Sequence, residues 1–172
     1  LQNFLAASTC SHLMGISQNQ IVKSMKEFKG VEHRLEYVRT INEADYINDS
    51  KATNIDSVIV AINTYKQPIV LILGGFNKGA NFRLLLPHIK SSHVRDIVSY
   101  GDAGGQINTA LGDAVRSVQV TDLSSAVKKA HLMATPGDIV LLSPGCASYD
   151  EFSNFEERGN HFKSKIKSIA TS

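Results

Sequence analysis

Hydrophobic and polar positions along this chain change their period near Gly30. Before that point, apolar residues recur at helical spacing over residues 2–28. Ser17 with Gln20 three residues later matches a capping box, the pattern that starts many helices. We therefore predict two helices in this segment, the first ending at Gly15.

After Gly30 the pattern alternates between extended and helical segments. Extended runs at 35–41 and 45–48, joined by Asn42-Glu43, predict an antiparallel hairpin. Further strands are predicted at 69–73, 94–100, 114–120 and 139–142, and helices at 54–65, 82–89, 106–111, 122–134 and 152–169. Because strands that alternate with helices form parallel units with right-handed crossovers, we predict an α/β fold. Its core is a Rossmann-like, doubly wound, mostly parallel sheet with an N-terminal β-hairpin, preceded by helices.

The sequence also predicts the residues that cap two helices and a close packing contact at one glycine. Thr53 with Asp56, and Ser148 with Glu151, match capping boxes and would explain both hydroxyls without a ligand. Gly159 lies inside the last predicted helix, where a glycine costs ~1 kcal/mol of helix propensity. We expect close backbone packing there to offset that cost.

Composition narrows the class of protein. The 172 residues contain 42% hydrophobic and 20% charged residues and carry a net charge of +2, as expected for a globular protein. No basic stripe indicates a nucleic-acid partner, and no apolar run approaches the ~18 residues of a membrane span. Two cysteines and no visible signal peptide favour a cytoplasmic location. Because the chain opens without Met on helical sequence, we expect it to be a piece of a longer protein.

Polar groups follow three predicted strands. Lys51 lies just before a helix N-terminus, where a cation opposes the helix dipole, so an anionic ligand would explain it. Lys78 follows Gly74-Gly75, and Ser148 follows the last strand. Ligands of α/β sheets bind at the carboxyl ends of strands, so we expect the three turns to line one cleft.

Other motifs argue against competing functions. The loop at 74–79 lacks the Walker A spacing, and the glycines at 101–105 lack that of a dinucleotide fingerprint. Cys146 has no convincing histidine partner, so a cysteine nucleophile is not expected. His12, His88 and His93 show no metal-ligand spacing.

Several segments together resemble the Mur ligase family, specifically its D-glutamate-adding branch, the UDP-N-acetylmuramoyl-L-alanine:D-glutamate ligases (MurD). They are Glu32–Glu36, Ile47–Asn54, Leu73–Gly75 with Lys78–Gly79, Leu142–Ser148, and Asn154–Glu156 with Arg158–Asn160. The resemblance covers essentially the whole chain as the C-terminal part of such an enzyme. It implies an ATP-dependent amide ligase of peptidoglycan synthesis, in which D-glutamate attacks an acyl phosphate.

The resemblance also implies roles for individual residues. By motif position, D-glutamate would be held by Lys51, Thr53, Lys78, Ser148 and Phe155. Adenine, phosphate and ribose of ATP would be contacted by Asn3, Arg34 and Asp49 respectively. The phosphate-binding loop, the Mg²⁺ ligands and the carbamylated lysine belong to the family's central domain, so we expect no catalytic or metal-binding residue here. Phe76 replaces an acid found in some members, which puts nucleotide contacts from its loop in doubt, and Gly145 replaces a common Ala.

The implied organisation is the end of a central ATP-binding domain at 1–30 and a complete D-glutamate-binding domain at 31–172. ATP, Mg²⁺ and UDP-N-acetylmuramoyl-L-alanine would be engaged through the missing domains. We expect a monomer that binds neither nucleic acid nor membrane and is inactive alone. The alternatives are another Mur-type or folylpolyglutamate-type ligase domain, a stand-alone Rossmann-like nucleotide-binding module, and a purely structural interaction domain.

Overall fold

The computed structural model describes residues 2–28 and 30–169, apart from the side chain of Gln2. The chain divides into two compact units, residues 1–31 and 32–172.

The first unit is a pair of helices. Helix α1 spans Gln2–Leu13, and α2 spans Gln18–Glu27. The predicted capping box is present, because the Ser17 side chain accepts from the N–H of Gln20 while the Gln20 side chain accepts from that of Ser17. Within this unit, Phe4 and Phe28 pack edge to face with their ring centroids 5.3 Å apart.

In the part of the chain described, six strands form one sheet in the second unit. They are β1 (Glu36–Ile41), β2 (Ala44–Asn48), β3 (Ile69–Gly74), β4 (Val94–Tyr100), β5 (Arg116–Gln119) and β6 (Ile139–Gly145). The order across the sheet is β1-β2-β6-β3-β4-β5. Only β1 runs antiparallel to its neighbour, as part of the predicted hairpin, and the other neighbours pair in parallel. Asn42 and Glu43 both have positive φ, as expected of the tight turns that suit the twist of a hairpin.

Helices cover both faces of this sheet. They are α3 (Ile55–Ile62), a 3₁₀ turn (Phe82–Leu85) leading into α4 (Leu86–Ser91), α5 (Gly104–Leu111), α6 (Leu123–Met133) and α7 (Phe155–Ser168). Residues of α3, α4 and α5 pack on one side of β3, against Ile69, Leu71 and Leu73. Residues of α6 and α7 belong to the core that contains Val70 and Ile72. This alternation confirms the predicted doubly wound, mostly parallel sheet.

Two predicted helix starts are wrong. Helix α3 is capped by Asn54, whose side chain accepts from the N–H of Ser57, so Thr53 is not the cap. Helix α7 begins at Phe155 under Asn154, so Ser148 does not cap it. Ser148 instead begins a turn in which its carbonyl accepts from the N–H groups of residues 151 and 152. Both errors arise because hydroxyl and carboxamide residues compete for the same capping role within a few positions.

The packing predicted for Gly159 is confirmed. A Cβ at this position would collide with the ring of His33, and both residues are buried. Among the residues described, no helix is long and apolar enough to cross a bilayer.

Candidate functional site

The three polar turns follow three neighbouring strands, since β6 lies between β2 and β3. Backbone hydrogen bonds join the turns directly. The N–H of Gly145 donates to the carbonyl of Ala52 (2.9 Å). Phe76 and Ala147 exchange two N–H···O bonds of 2.9 and 3.1 Å. The loops that carry Lys51, Lys78 and Ser148 are therefore held at one edge of the sheet.

Arg158 of α7 fastens two of these turns from inside the protein. Its guanidinium is fully buried and donates to the hydroxyl and carbonyl oxygens of Ser50 and to the carbonyls of Cys146 and Ala147, at 2.8–3.1 Å. A planar fork of five N–H donors suits several fixed acceptors at once. The hydroxyl of Ser50 donates in turn to the carbonyl of Phe155 at 2.8 Å.

Lys51 is positioned by its backbone and by a ring. Its N–H donates to the carbonyl of His33 (3.0 Å), and its Nζ lies 4.4 Å from the centroid of the Phe155 ring. His33 is itself buried, with Nδ1 3.0 Å from Nδ2 of Asn48 and its ring edge-on to Phe155. Thr53, immediately before the cap of α3, is exposed.

Lys78 lies on the loop after β3, where Gly74 and Gly75 have positive φ and face backbone carbonyls too closely for any side chain. Its Nζ is 5.0 Å from the centroid of the Tyr149 ring. Ser148, next to this tyrosine, is buried. The loop of Lys78 and the turn of Ser148 therefore meet at Tyr149.

Asp49 occupies the buried end of β2. One carboxylate oxygen accepts from the N–H of Leu35 (3.2 Å) and the other from the hydroxyl of Ser143 (2.9 Å). Burial raises the pKa of Asp49 to about 6, while these two hydrogen bonds and the nearby Arg34 partly offset the rise. Arg34 is exposed, and Asn3 lies on α1 in the first unit.

Two features near the site could be mistaken for a metal site and for a catalytic nucleophile, but the structure explains both without these roles. Glu32, His33 and Glu36 cluster closely enough to suggest metal ligands, but Nζ of Lys163 bridges the two carboxylates at 2.5 and 3.1 Å. The cation already supplies the charge that a metal would bring. Burial raises the pKa of the Cys146 thiol to about 12, so the thiolate needed for nucleophilic attack is not available.

The structure brings Lys51 together with Phe155, and Lys78 with the residue after Ser148. Sequence reasoning missed Arg158, His33 and Tyr149. Arg158 had a readable signal, because it falls on the same helical face as the buried Gly159 and Phe162, where a charge is unusual. The other two had none, since their contacts join distant parts of the chain.

A family model described as "Mur ligase, glutamate ligase domain" matches residues 33–146. The chain belongs to this Mur ligase family. UDP-N-acetylmuramoylalanine–D-glutamate ligases from Bacillus mycoides and Chloroherpeton thalassium are 45% and 41% identical to it over 94% and 98% of its length. The chain spans about 36% of the length of each of these relatives.

Solved structures of the same fold include other Mur ligases. The UDP-N-acetylmuramate–alanine ligase MurC of Thermotoga maritima matches 96% of this chain and 37% of its own, with a TM-score of 0.69 at 16% identity. A bifunctional folylpolyglutamate synthase/dihydrofolate synthase from Yersinia pestis matches 86% of this chain and 34% of its own, with a TM-score of 0.63 at 17% identity. At these identities the likeness concerns the fold.

Proposed function

We propose that this chain is the C-terminal portion of a ligase that adds D-glutamate to UDP-N-acetylmuramoyl-L-alanine in peptidoglycan synthesis. Residues 32–172 would bind D-glutamate, and residues 1–31 would belong to the domain that binds ATP. The whole enzyme would act in the cytoplasm as a monomer. Support comes from the family, from relatives at 41–45% identity that are D-glutamate ligases, and from the site.

The observation that carries the proposal is the pair of lysines at neighbouring strand ends. Within the described residues, neither Lys51 nor Lys78 has a carboxylate oxygen within 4.0 Å of its ammonium. Two ammonium groups without a carboxylate partner among the described residues, on turns that also carry or adjoin the hydroxyls of Thr53 and Ser148, suit a small dicarboxylate, because charge-assisted hydrogen bonds are the stronger kind. We assign Phe155 the role of orienting Lys51, since its ring lies against the ammonium.

Not every proposed ATP contact fits the structure equally well. The exposed guanidinium of Arg34 suits a phosphate. Asp49 suits ribose less well, because only 5% of it is exposed and both oxygens already accept hydrogen bonds. Asn3 is exposed on α1, and its adenine contact stays a prediction.

ATP with Mg²⁺ would supply the phosphoryl group that activates the substrate carboxylate. The residues of this chain would hold the amino group of D-glutamate in line with that carboxyl carbon while the domains close. Holding two reactants in the right geometry can remove ~7–11 kcal/mol from a barrier. Arg158 anchors the turn of Lys51 and the turn after β6, and the latter is joined to the loop of Lys78 through Phe76 and Ala147, so these contacts would keep that geometry fixed.

Substituting each lysine in the full-length enzyme tests the proposal. Lys51→Ala and Lys78→Ala should each raise the KM for D-glutamate at least about ten-fold, since losing a hydrogen bond to a charged group costs ~1.5–3 kcal/mol. The KM for ATP should change little. Lys90→Ala, an exposed lysine on α4, is the matched control. Wild-type glutamate kinetics in both site variants would refute the assignment.

The amino-acid specificity is tested separately. Initial rates of the full-length enzyme with D-glutamate, L-glutamate, L-alanine and a diamino acid should favour D-glutamate strongly. A preference for L-glutamate would support the folylpolyglutamate-type alternative instead.

A further inference from the structure

Each of the two lysines of the proposed site, Lys51 and Lys78, lies over the face of an aromatic ring. The distances from Nζ to the ring centroid are 4.4 Å for Lys51 over Phe155 and 5.0 Å for Lys78 over Tyr149. Both are within the ~6 Å at which a ring face attracts a cation. Both rings come from the segment that follows β6, although the lysines come from different loops. The arrangement is therefore repeated at two places in one site.

A ring is a particular kind of partner for a lysine that binds an anion. A carboxylate partner would neutralise the ammonium and compete with an anionic ligand for its three N–H donors. An aromatic ring has no net charge, so it attracts the ammonium through its quadrupole and leaves the full positive charge available. The described residues provide no carboxylate within 4.0 Å of either Nζ.

Tyr149 is well anchored through its neighbours, although its own side chain is 62% exposed. The preceding residue, Ser148, is buried, and Ala147 exchanges two backbone hydrogen bonds with Phe76. This bridge ties the turn of Tyr149 to the loop of Lys78. The exposed lysine would otherwise sample many rotamers, and ordering such a side chain costs free energy when a ligand binds.

We infer that Tyr149 is a positioning residue, whose ring holds the ammonium of Lys78 in place for a carboxylate of the amino-acid substrate. The inference rests on the proposed function of Lys78. It assigns Tyr149 to orientation of the cation rather than to direct contact with the substrate.

A double-mutant cycle in the full-length enzyme tests this role, using Tyr149→Leu, Tyr149→Phe, Lys78→Ala and the double variant Tyr149→Leu/Lys78→Ala. Leucine keeps apolar bulk without a ring face, and phenylalanine keeps the ring without the hydroxyl. We expect Tyr149→Leu to raise the KM for D-glutamate about two- to five-fold, which corresponds to the ~0.5–1 kcal/mol of an exposed cation–π pair. The KM for ATP and kcat should change little, and Tyr149→Phe should restore the KM for D-glutamate.

The cycle separates positioning from a structural effect. In the Lys78→Ala background, Tyr149→Leu should have no further effect, because the cation that the ring holds is gone. The same fold increase in both backgrounds would overturn the inference and leave the site assignment intact. A Tyr149→Phe variant as weak as Tyr149→Leu would also overturn it, because the hydroxyl would then be the important group. An unchanged KM in Lys78→Ala itself would refute the proposed function of this lysine together with the inference.

Discussion

The carboxylate of Asp49 lies in a buried position at the end of β2, two residues before Lys51. Its two hydrogen bonds, from Leu35 and Ser143, do not fully replace the water that it loses on folding, so its pKa rises to about 6 from the usual 3.8. At neutral pH the residue is ionised and desolvated. It therefore opposes folding there while adding negative charge close to Arg34.

This shift predicts a pH-dependent effect of Asp49→Asn on stability. Folded Asp49 binds its proton more tightly than unfolded Asp49, so its contribution to the free energy of unfolding falls as the pH rises from about 4 to about 6. Asparagine does not titrate: its Oδ1 can accept from the N–H of Leu35, and its Nδ2 can donate to the hydroxyl oxygen of Ser143, which reverses the direction of that bond. Relative to wild type, the variant should gain up to about 3 kcal/mol between pH 4 and pH 7, because one pKa unit corresponds to ~1.4 kcal/mol.

Urea unfolding of both proteins across this pH range would measure the change. Ser117→Ala, at a position where the hydroxyl is buried without a hydrogen-bond partner among the described residues, is a control whose effect should not vary with pH. A stability difference between Asp49→Asn and wild type that stays constant over the range would contradict the prediction.

At the scale of elements, α7 connects the hairpin to the site. Its Gly159 faces the ring of His33, and its Arg158 reaches the turns after β2 and β6. The helix can approach so closely because a glycine occupies the contact position. Gly159 lowers the helix propensity of α7, but it lets the helix lie close enough for the neighbouring Arg158 to reach both turns.

Gly159→Ala should therefore destabilise the protein although alanine is the better helix former. Helix propensity alone would add ~1 kcal/mol of stability, but overpacking a core typically costs ~1–3 kcal/mol, and the His33 ring is held by Asn48. We expect a net loss of up to about 2 kcal/mol in urea unfolding, which is the difference between these two effects. Asn160→Ala, exposed on the same helix, should be neutral or slightly stabilising.

The His33→Ala background identifies the cause of that loss. With the ring removed, adding Gly159→Ala should no longer destabilise the protein. A loss of the same size in both backgrounds would mean that the contact with His33 is not responsible.

At the scale of the whole molecule, the proposed site would be one half of a reaction centre. The chain spans about 36% of the length of its relatives, and the part described has two compact units of very different size. By the family resemblance, the phosphate-binding loop and the Mg²⁺ ligands would lie in the central domain of the whole enzyme. The proposed D-glutamate site alone would supply no activated carboxylate for an amine to attack.

We accordingly predict that the 172 residues alone neither hydrolyse ATP nor form the amide bond. Phosphate release and product formation should both stay at background in the presence of ATP, Mg²⁺, D-glutamate and UDP-N-acetylmuramoyl-L-alanine. The full-length enzyme assayed in parallel is the positive control. Measured ATP-dependent ligation by the isolated chain would show that the proposed division of labour is wrong.

The sequence by itself determined the class of fold and the meeting of three polar turns at one end of the sheet. Periodicity predicted the hairpin, the alternation of strands and helices, and the close packing at Gly159. It could do so because the apolar face of each element is formed by residues that recur at a fixed spacing within one short segment. Placing Lys51, Lys78 and Ser148 at one edge followed from the rule that parallel strands present their carboxyl ends together. The helix starts at Thr53 and Ser148 were wrong, since adjacent residues with similar capping chemistry compete locally.

Only the tertiary structure decided which groups meet within that site. The ring under each lysine, the buried fork of Arg158 and the engaged carboxylate of Asp49 all join segments far apart in the chain. Such contacts depend on strand order and on the exact approach of α7, which local periodicity does not encode. For this reason the residue types could indicate an anion-binding site, but the contacts among its residues could be seen only in the folded structure.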